Sequence, residues 1–125
     1  MRPFTFTLLF ALVAPAYAED FESRFDAAKI KGKGPEFANY MLAQARRIRA
    51  AARPCAAGMS PGSTQSFRFV TDISPEGAIS NFEMDQQSQL TACFRDHVST
   101  LTLAPPPKSP FVFGAEIRMQ ADDGL

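Results

Sequence analysis

Apolar and polar positions alternate most cleanly in the middle of the chain, where two alternating runs flank the turn sequence Ser-Pro-Glu-Gly. A period of two is typical of a strand with one buried face, so residues 66–73 are predicted to form a β-strand. In the turn, proline presets φ at the second position, and Gly77 can adopt the positive φ that closes a hairpin. Residues 78–84 are predicted to form the second strand of the hairpin. Their apolar residues do not share one alternation, because Ile79 is out of step with Phe82 and Met84, and a β-bulge near Asn81 would account for this shift.

Helical periodicity marks segments on both sides of this hairpin. Residues 19–53 are predicted to contain a short helix that ends in the glycines of KGKG, followed by a long helix with Gly34 as N-cap and Pro35 at its first position. After the hairpin, Ser88 is the predicted N-cap of a helix. Its apolar stripe keeps i, i+3, i+4 spacing and comprises Leu90, Cys93, Phe94, His97, Val98 and Leu101.

The proline-rich run APPPKSP breaks this helix, and a last alternating run predicts a strand over residues 111–120. The predicted fold is therefore α+β: N-terminal helices, then a ββαβ unit with a three-stranded antiparallel sheet packed on a helix. The N-terminal helical segment is residues 19–53 and the ββαβ domain is residues 54–125. We expect 66–73 at the centre of the sheet, with the other two strands as edges.

The first residues have the organisation of a signal peptide. Arg2 provides a positive start, residues 4–13 are apolar but too short to span a bilayer comfortably, and Ala16-Tyr17-Ala18 matches a small-x-small cleavage site. Residues 1–18 are therefore predicted to be removed during export to the periplasm, leaving a chain without a membrane span. The alternative is a signal sequence that is retained as an anchor.

The charges are nearly balanced. Basic and acidic side chains number 13 each, and loss of Arg2 with the signal peptide leaves a net charge of −1. This balance gives no general attraction to nucleic acid or to anionic lipid. Arg46, Arg49 and Arg53 share one side of the long helix, where they form a solvated face or bind an acidic partner.

The chain has two cysteines, Cys55 and Cys93. An even pair in an exported protein predicts a disulfide, with two buried free thiols as the alternative. Two thiols and the single histidine, His97, provide fewer ligands than the four of a structural metal site, so no metal or other cofactor is predicted.

Catalytic motifs are absent from the sequence: it has no GxSxG, no HExxH and no glycine-rich phosphate loop. Asp96 and His97 are adjacent on a helix and point about 100° apart, so they cannot act as a base with its orienting acid. Glu83 and Asp85 alternate onto one strand face, where surface carboxylates explain them better than an acid/base pair. The sequence therefore predicts a protein that is not an enzyme.

The order of elements from residue 66 onward resembles the C-terminal domain of TonB-type energy transducers and its secreted relatives. FRFVTDISPEGAISNFEM is similar to the strand, turn and strand of that family, LTACFRDHVSTLTLAPPP to its helix and proline-bearing segment, and FVFGAEIRM to its closing strand. The resemblance implies the ββαβ fold and binding by strand addition. The long proline-rich linker and retained anchor of a transducer are missing, so power transmission is not implied.

Two functions of different classes are compatible with these observations. One is a periplasmic interaction module that binds a peptide, an envelope protein or a second copy of the chain through a sheet edge. The other is an inhibitor or immunity-type protein that occludes a toxin or hydrolase. The edge predicted to bind is residues 111–119, unless the N-terminal helices cover it, and its named residues are Phe111, Phe113, Gly114, Ala115, Ile117 and Met119.

Overall fold

A computed structural model describes residues 20–121, which form three α-helices and a three-stranded antiparallel sheet. The elements in chain order are α1 (Phe21–Gly32), α2 (Pro35–Ala52), a 3₁₀ helix (Arg53–Gly58), β1 (Thr64–Ile73), β2 (Ile79–Met84), α3 (Gln89–Val98) and β3 (Phe111–Gln120). The predicted α+β fold is confirmed. The signal peptide predicted for residues 1–18 lies outside the described residues.

The strand order is β2-β1-β3, so the cleanest alternating run is the central strand, as predicted. β1 pairs with β3 in one continuous antiparallel register, from Thr64 opposite Gln120 to Ile73 opposite Phe111. β1 begins at Thr64, two residues before the predicted start at Ser66. Thr64 and Gln65 are polar and exposed, so they show no apolar alternation, but they pair with the end of β3.

Aromatic side chains fill the face of the sheet that carries the odd-numbered residues of β1 and β3. Phe94 of α3 is fully buried, and its ring centroid lies 4.9 Å from that of Phe67 and 5.3 Å from that of Phe69. Phe37 of α2 stacks on Phe111 at 4.9 Å. α2 and α3 therefore share this face, and burial of these rings is the main apolar stabilisation of the fold.

The opposite face of the sheet is covered by α1, which the sequence reasoning did not place. Phe25 and Ala28 are buried against the sheet, and Val70 of β1 is fully buried on this face. A Cβ atom on Gly114 would lie 3.0 Å from the Ala28 Cβ, so this glycine lets the helix approach the strand. Ile30, an apolar residue of the same helix, points away from the sheet and is 72% exposed. The sheet is thus packed between helices on both faces.

The hairpin turn connects the sheet to the segment that follows α3. Gly77 has a φ of +95°, as the turn chemistry predicts, and its N–H donates to the Ser74 carbonyl at 2.8 Å. Its carbonyl accepts from the Leu103 N–H at 2.8 Å, and a Cβ atom on Gly77 would lie 1.9 Å from the Leu103 oxygen. The central SPEG motif therefore has a structural task, since only glycine fits where this turn meets the chain after α3.

Strand β2 contains the predicted bulge. Val70 pairs with Glu83 and Asp72 with Ser80, so β2 has one more residue than β1 between these pairs. Asn81 adopts a φ of 51°, and its side-chain amide donates to Asp72 Oδ2 at 2.6 Å. Asparagine tolerates this left-handed conformation better than most residues do, which explains the position of the bulge.

Helix α3 begins as predicted but is rotated relative to the predicted stripe. Ser88 caps it: the Ser88 hydroxyl accepts from the Thr91 N–H at 3.1 Å, and the Thr91 hydroxyl accepts from the Ser88 N–H at 2.8 Å. This capping box turns Thr91 inward beside Phe94. His97 is exposed, so its predicted place on the buried stripe is wrong, and Leu101 follows the end of the helix.

Helix α2 fastens the segment after α3 through three polar side chains. The Tyr40 hydroxyl donates to the Ala104 carbonyl at 2.7 Å, and Gln44 Oε1 accepts from the Ala104 N–H at 3.0 Å. Arg47 donates to the Thr102 carbonyl at 2.9 Å. Burial raises the pKa of Tyr40 to about 12, so its hydroxyl remains a donor at neutral pH.

Candidate functional site

The outer edge of β3 carries backbone groups that no other strand uses. The Ala121 N–H donates to the Ser63 carbonyl at 2.8 Å, which fixes one hydrogen-bonded pair at the end of the ladder. Such pairs alternate along an antiparallel ladder, so odd-numbered residues of β3 bond to β1. The N–H and C=O groups that point away from the sheet belong to Val112, Gly114, Glu116, Arg118 and Gln120. Within residues 20–121, these outward groups make no hydrogen bond to the rest of the chain.

Most residues that the sequence nominated for this edge have their side chains in the core. Phe111, Phe113, Ile117 and Met119 are buried beneath α2 and α3, and Ala115 is half-buried on the same face. Of the nominated set, only Gly114 directs its backbone groups outward. The sequence reasoning selected the apolar half of the alternation, whereas the even-numbered half provides the free donors and acceptors.

The even-numbered positions divide the edge into a covered part and an open part. Lys31, near the end of α1, donates to the Pro110 carbonyl at 3.3 Å, and Ala28 packs against Gly114. Beyond that point Glu116, Arg118 and Gln120 are exposed. α1 thus lies over the first half of β3, and residues 116–120 form its open half.

The other edge strand, β2, is tied down by an arginine of α1. Arg24 donates to Asp72 Oδ1 at 2.7 Å and to Glu83 Oε1 at 2.8 Å, so one guanidinium spans β1 and β2. Asn81 bends the strand between these contacts. An incoming strand would have to pair with a bulged strand of six residues, which makes β2 a poor template.

A second arginine holds the start of α1 to the sheet. Arg68 donates through Nε to Asp85 Oδ2 at 2.9 Å, bonds Glu22 with its two Nη atoms, and lies 5.0 Å from the Phe25 ring centroid. The hydrogen bonds to Glu22 and then to Asp85 raise the pKa of Arg68, and the same contact lowers the pKa of Glu22. Arg68 therefore links Glu22 of α1 to Asp85 and holds the start of the helix against the sheet.

The predicted disulfide is present and joins the 3₁₀ helix to α3. Cys55 and Cys93 are bonded, with their Cα atoms 5.7 Å apart. The single histidine lies directly beside it: His97 Nδ1 is 3.7 Å from the Cys55 sulfur and 3.6 Å from the Cys93 sulfur. The same nitrogen is 3.0 Å from the Cys93 carbonyl oxygen, to which it can donate. The sequence predicted the bond between Cys55 and Cys93, whereas the contact of His97 with both sulfurs is seen only in the fold.

A cleft of about 400 Å³ opens next to the disulfide, between the 3₁₀ helix and the start of α3. Its walls include Met59, Leu90 and the two cysteines, and none of its lining residues carries an ionisable side chain apart from those bonded sulfurs. The cleft is therefore lined by neutral side chains.

The three nominated arginines are all exposed: Arg46 and Arg49 lie on α2, and Arg53 is the first residue of the 3₁₀ helix. Arg47, the neighbour of Arg46, differs from them because it donates a hydrogen bond to the Thr102 carbonyl after α3. The exposed arginines fit a solvated helix face, and the hypothesis that they bind an acidic partner stays a prediction.

No family model, curated protein or solved structure matches this chain. The resemblance to TonB C-terminal domains thus rests on the residues that suggested it and on the order of elements. Among the described residues, none of the helices is both long enough and apolar enough to cross a bilayer.

Proposed function

We propose that this protein is an exported, non-catalytic interaction module of the TonB C-terminal-like type. It binds an extended segment of a peptide or of another envelope protein by strand addition to β3. The observation that carries this proposal is the row of outward backbone groups at Glu116, Arg118 and Gln120 on an exposed, regular strand. Strand addition uses such main-chain groups for affinity and side chains of alternate residues for selectivity.

The side chains beside this edge favour a polar partner of mixed charge. Glu116 and Arg118 are exposed on the same face of β3, with Ser66 and Thr64 exposed beside them on β1. A partner strand that carries a basic residue opposite Glu116 and an acidic residue opposite Arg118 would gain cross-strand charge pairs.

Export to the periplasm is the part of this proposal that the disulfide supports, because such bonds persist in oxidising compartments. Cleavage after Ala18 should leave Glu19 as the first residue. Intact-mass measurement of protein recovered from the periplasm tests this, and a chain that keeps Met1 and fractionates with membranes would contradict it.

Replacing Glu116 with proline should weaken partner binding at least tenfold. Proline removes one outward N–H and adds bulk at the edge, while the bonds of β3 to β1 stay intact, because this N–H points away from β1. The partner is first captured from periplasmic extract with the wild-type protein and identified. The dissociation constant is then measured for the purified pair by calorimetry.

The matched control is Glu116→Ala, which removes the same carboxylate but keeps the N–H, so the difference in affinity between the two variants reports the backbone group. Circular dichroism must show that both variants are folded. A folded proline variant that binds the partner as tightly as wild type would rule out strand addition at this edge. Binding to a hydrolase or toxin active site, insensitive to the proline, would instead support the inhibitor hypothesis.

A further inference from the structure

The disulfide and His97 form a compact group of metal-ligating atoms that the interaction function does not use. The two sulfurs and the His97 ring nitrogen all lie within 4.8 Å of one another. The ring nitrogen is 3.6 and 3.7 Å from the sulfurs. When an ion binds sulfur at about 2.3 Å and imidazole nitrogen at about 2.0–2.1 Å in tetrahedral geometry, the two donor atoms are about 3.6 Å apart. His97 is therefore already placed where such a site needs it.

Two things must change: His97 Nδ1 must give up its contact with the Cys93 carbonyl oxygen, 3.0 Å away, and the two sulfurs must separate. They are covalently bonded now, whereas two thiolates on one tetrahedral ion are about 3.8 Å apart, given bond lengths of about 2.3 Å. The Cα atoms are 5.7 Å apart, so side-chain rotation can provide this separation without moving the backbone far. Cys93 is half-exposed on α3, and the adjacent cleft leaves space on one side of both sulfurs.

We propose that, once the disulfide is reduced, Cys55, Cys93 and His97 bind one thiophilic d¹⁰ cation, Cu⁺ or Zn²⁺. The reductant is a dithiol that reduces the protein by thiol–disulfide exchange. Its two thiols are oxidised to a disulfide, and the two electrons and two protons convert the Cys55–Cys93 bond into two thiols. Metal binding then releases both thiol protons. Thiolate and imidazole donors select these ions over Mg²⁺ or Ca²⁺, which prefer oxygen.

Three protein ligands are enough for this chemistry. A closed structural zinc site needs four, but a site with an open position has three, with water completing the coordination of Zn²⁺. His97 would coordinate through Nδ1, so its proton would move to Nε2, where the exposed ring can donate to water. Reoxidation of the cysteines would expel the ion, so occupancy would report the redox state of the compartment.

The test compares reduced wild type with His97→Ala, and uses Asp96→Ala as the matched control because Asp96 is the exposed neighbour on α3. Each full-length mature protein is reduced without oxygen and titrated with Cu⁺ or Zn²⁺ against a chromophoric chelator. Native mass spectrometry gives the stoichiometry. We expect one ion per reduced chain, affinity within about twofold for Asp96→Ala, and at least a tenfold loss for His97→Ala.

The choice of ion refines the site: binding of Cu⁺ alone indicates three-coordinate geometry, and binding of Zn²⁺ indicates an added water. Equal affinity of the His97→Ala variant, or equal binding by the oxidised protein, would overturn the proposal. If the reduced protein unfolds without metal, circular dichroism replaces the titration as the decisive measurement. The ion should then restore the helical signal of wild type and Asp96→Ala but not of His97→Ala, and failure to restore wild type would also overturn it.

Discussion

Replacing Phe94 with alanine should lower the free energy of unfolding by about 3–5 kcal/mol, a large loss for a domain whose total stability is expected to be about 5–15 kcal/mol. The Phe94 ring is fully buried and contacts rings from both strands of the hairpin, with centroids 4.9 Å from Phe67, 5.3 Å from Phe69 and 6.1 Å from Phe82. Alanine would leave a cavity between α3 and the sheet that the surrounding rings can fill only in part. Urea denaturation followed by circular dichroism measures the loss.

Leu42→Ala is the control for this prediction. Leu42 lies on α2 and is 54% exposed, so its truncation should change the free energy of unfolding by no more than about 0.5 kcal/mol. If Phe94→Ala lowered the free energy of unfolding as little as Leu42→Ala, the described packing of α3 against the aromatic face would be contradicted.

Replacing both cysteines with alanine should destabilise the protein by about 4 kcal/mol. The disulfide joins residues 38 positions apart, and opening a loop of that size releases this much chain entropy in the unfolded state on the loop-closure model. The closed loop contains β1 and β2, so the unfolded chain regains the freedom of the whole hairpin. Thermal unfolding of the double variant, monitored in the absence of metal, provides the measurement.

Wild type kept in a reducing buffer is the matched comparison, since it lacks the same bond but retains the sulfur atoms. Both samples should lose stability to a similar extent. A double variant that melts at the temperature of oxidised wild type would show that the bond does not constrain the unfolded chain. Whichever of Cu⁺ and Zn²⁺ binds the reduced wild type should raise its melting temperature and leave the alanine variant unchanged.

The elements that the sequence predicted best are those whose signals are local. Alternation over residues 66–73 identifies the central strand, and the serine before α3 identifies its start, because strand period and helix capping involve neighbours along the chain. Gly77 and Asn81 were predicted for the same reason: each residue type tolerates the positive φ that its own position requires, Gly77 at a turn and Asn81 at a bulge.

What the sequence reasoning missed depends on contacts between distant segments. Nothing near Arg24 or Arg68 in the chain indicates that they bind carboxylates from other elements and hold α1 to the sheet. The sequence does carry one signal of this contact: Val70 is an apolar residue on the face of β1 opposite Phe67 and Phe69, and Gly114 pairs directly with it. An apolar residue beside a glycine on that face indicates a second covered surface, here under α1.

The residues predicted to bind at the free edge of β3 also differ from those whose backbone groups point outward. The apolar residues of β3 recur at every second position, and this alternation identifies the side chains that enter the core. The backbone groups open to a partner belong to the residues between them, and which set points outward depends on the register with β1. That register is a tertiary property, so the sequence predicted the strand but not the residues that could bind through it.

The bulge in β2 also limits how large an assembly of this protein can become. A sheet with two regular edges can add copies at both ends, and nothing stops its growth into a fibril. Here the two edges of the described sheet are unlike: β3 pairs with β1 in an unbroken register, whereas β2 is bulged at Asn81 and tied to α1 through Glu83. Two copies joined β3 to β3 would form a symmetric pair with a bent strand at each outer side. Growth of the sheet would stop at that pair, because each of its outer sides presents the bulged strand β2.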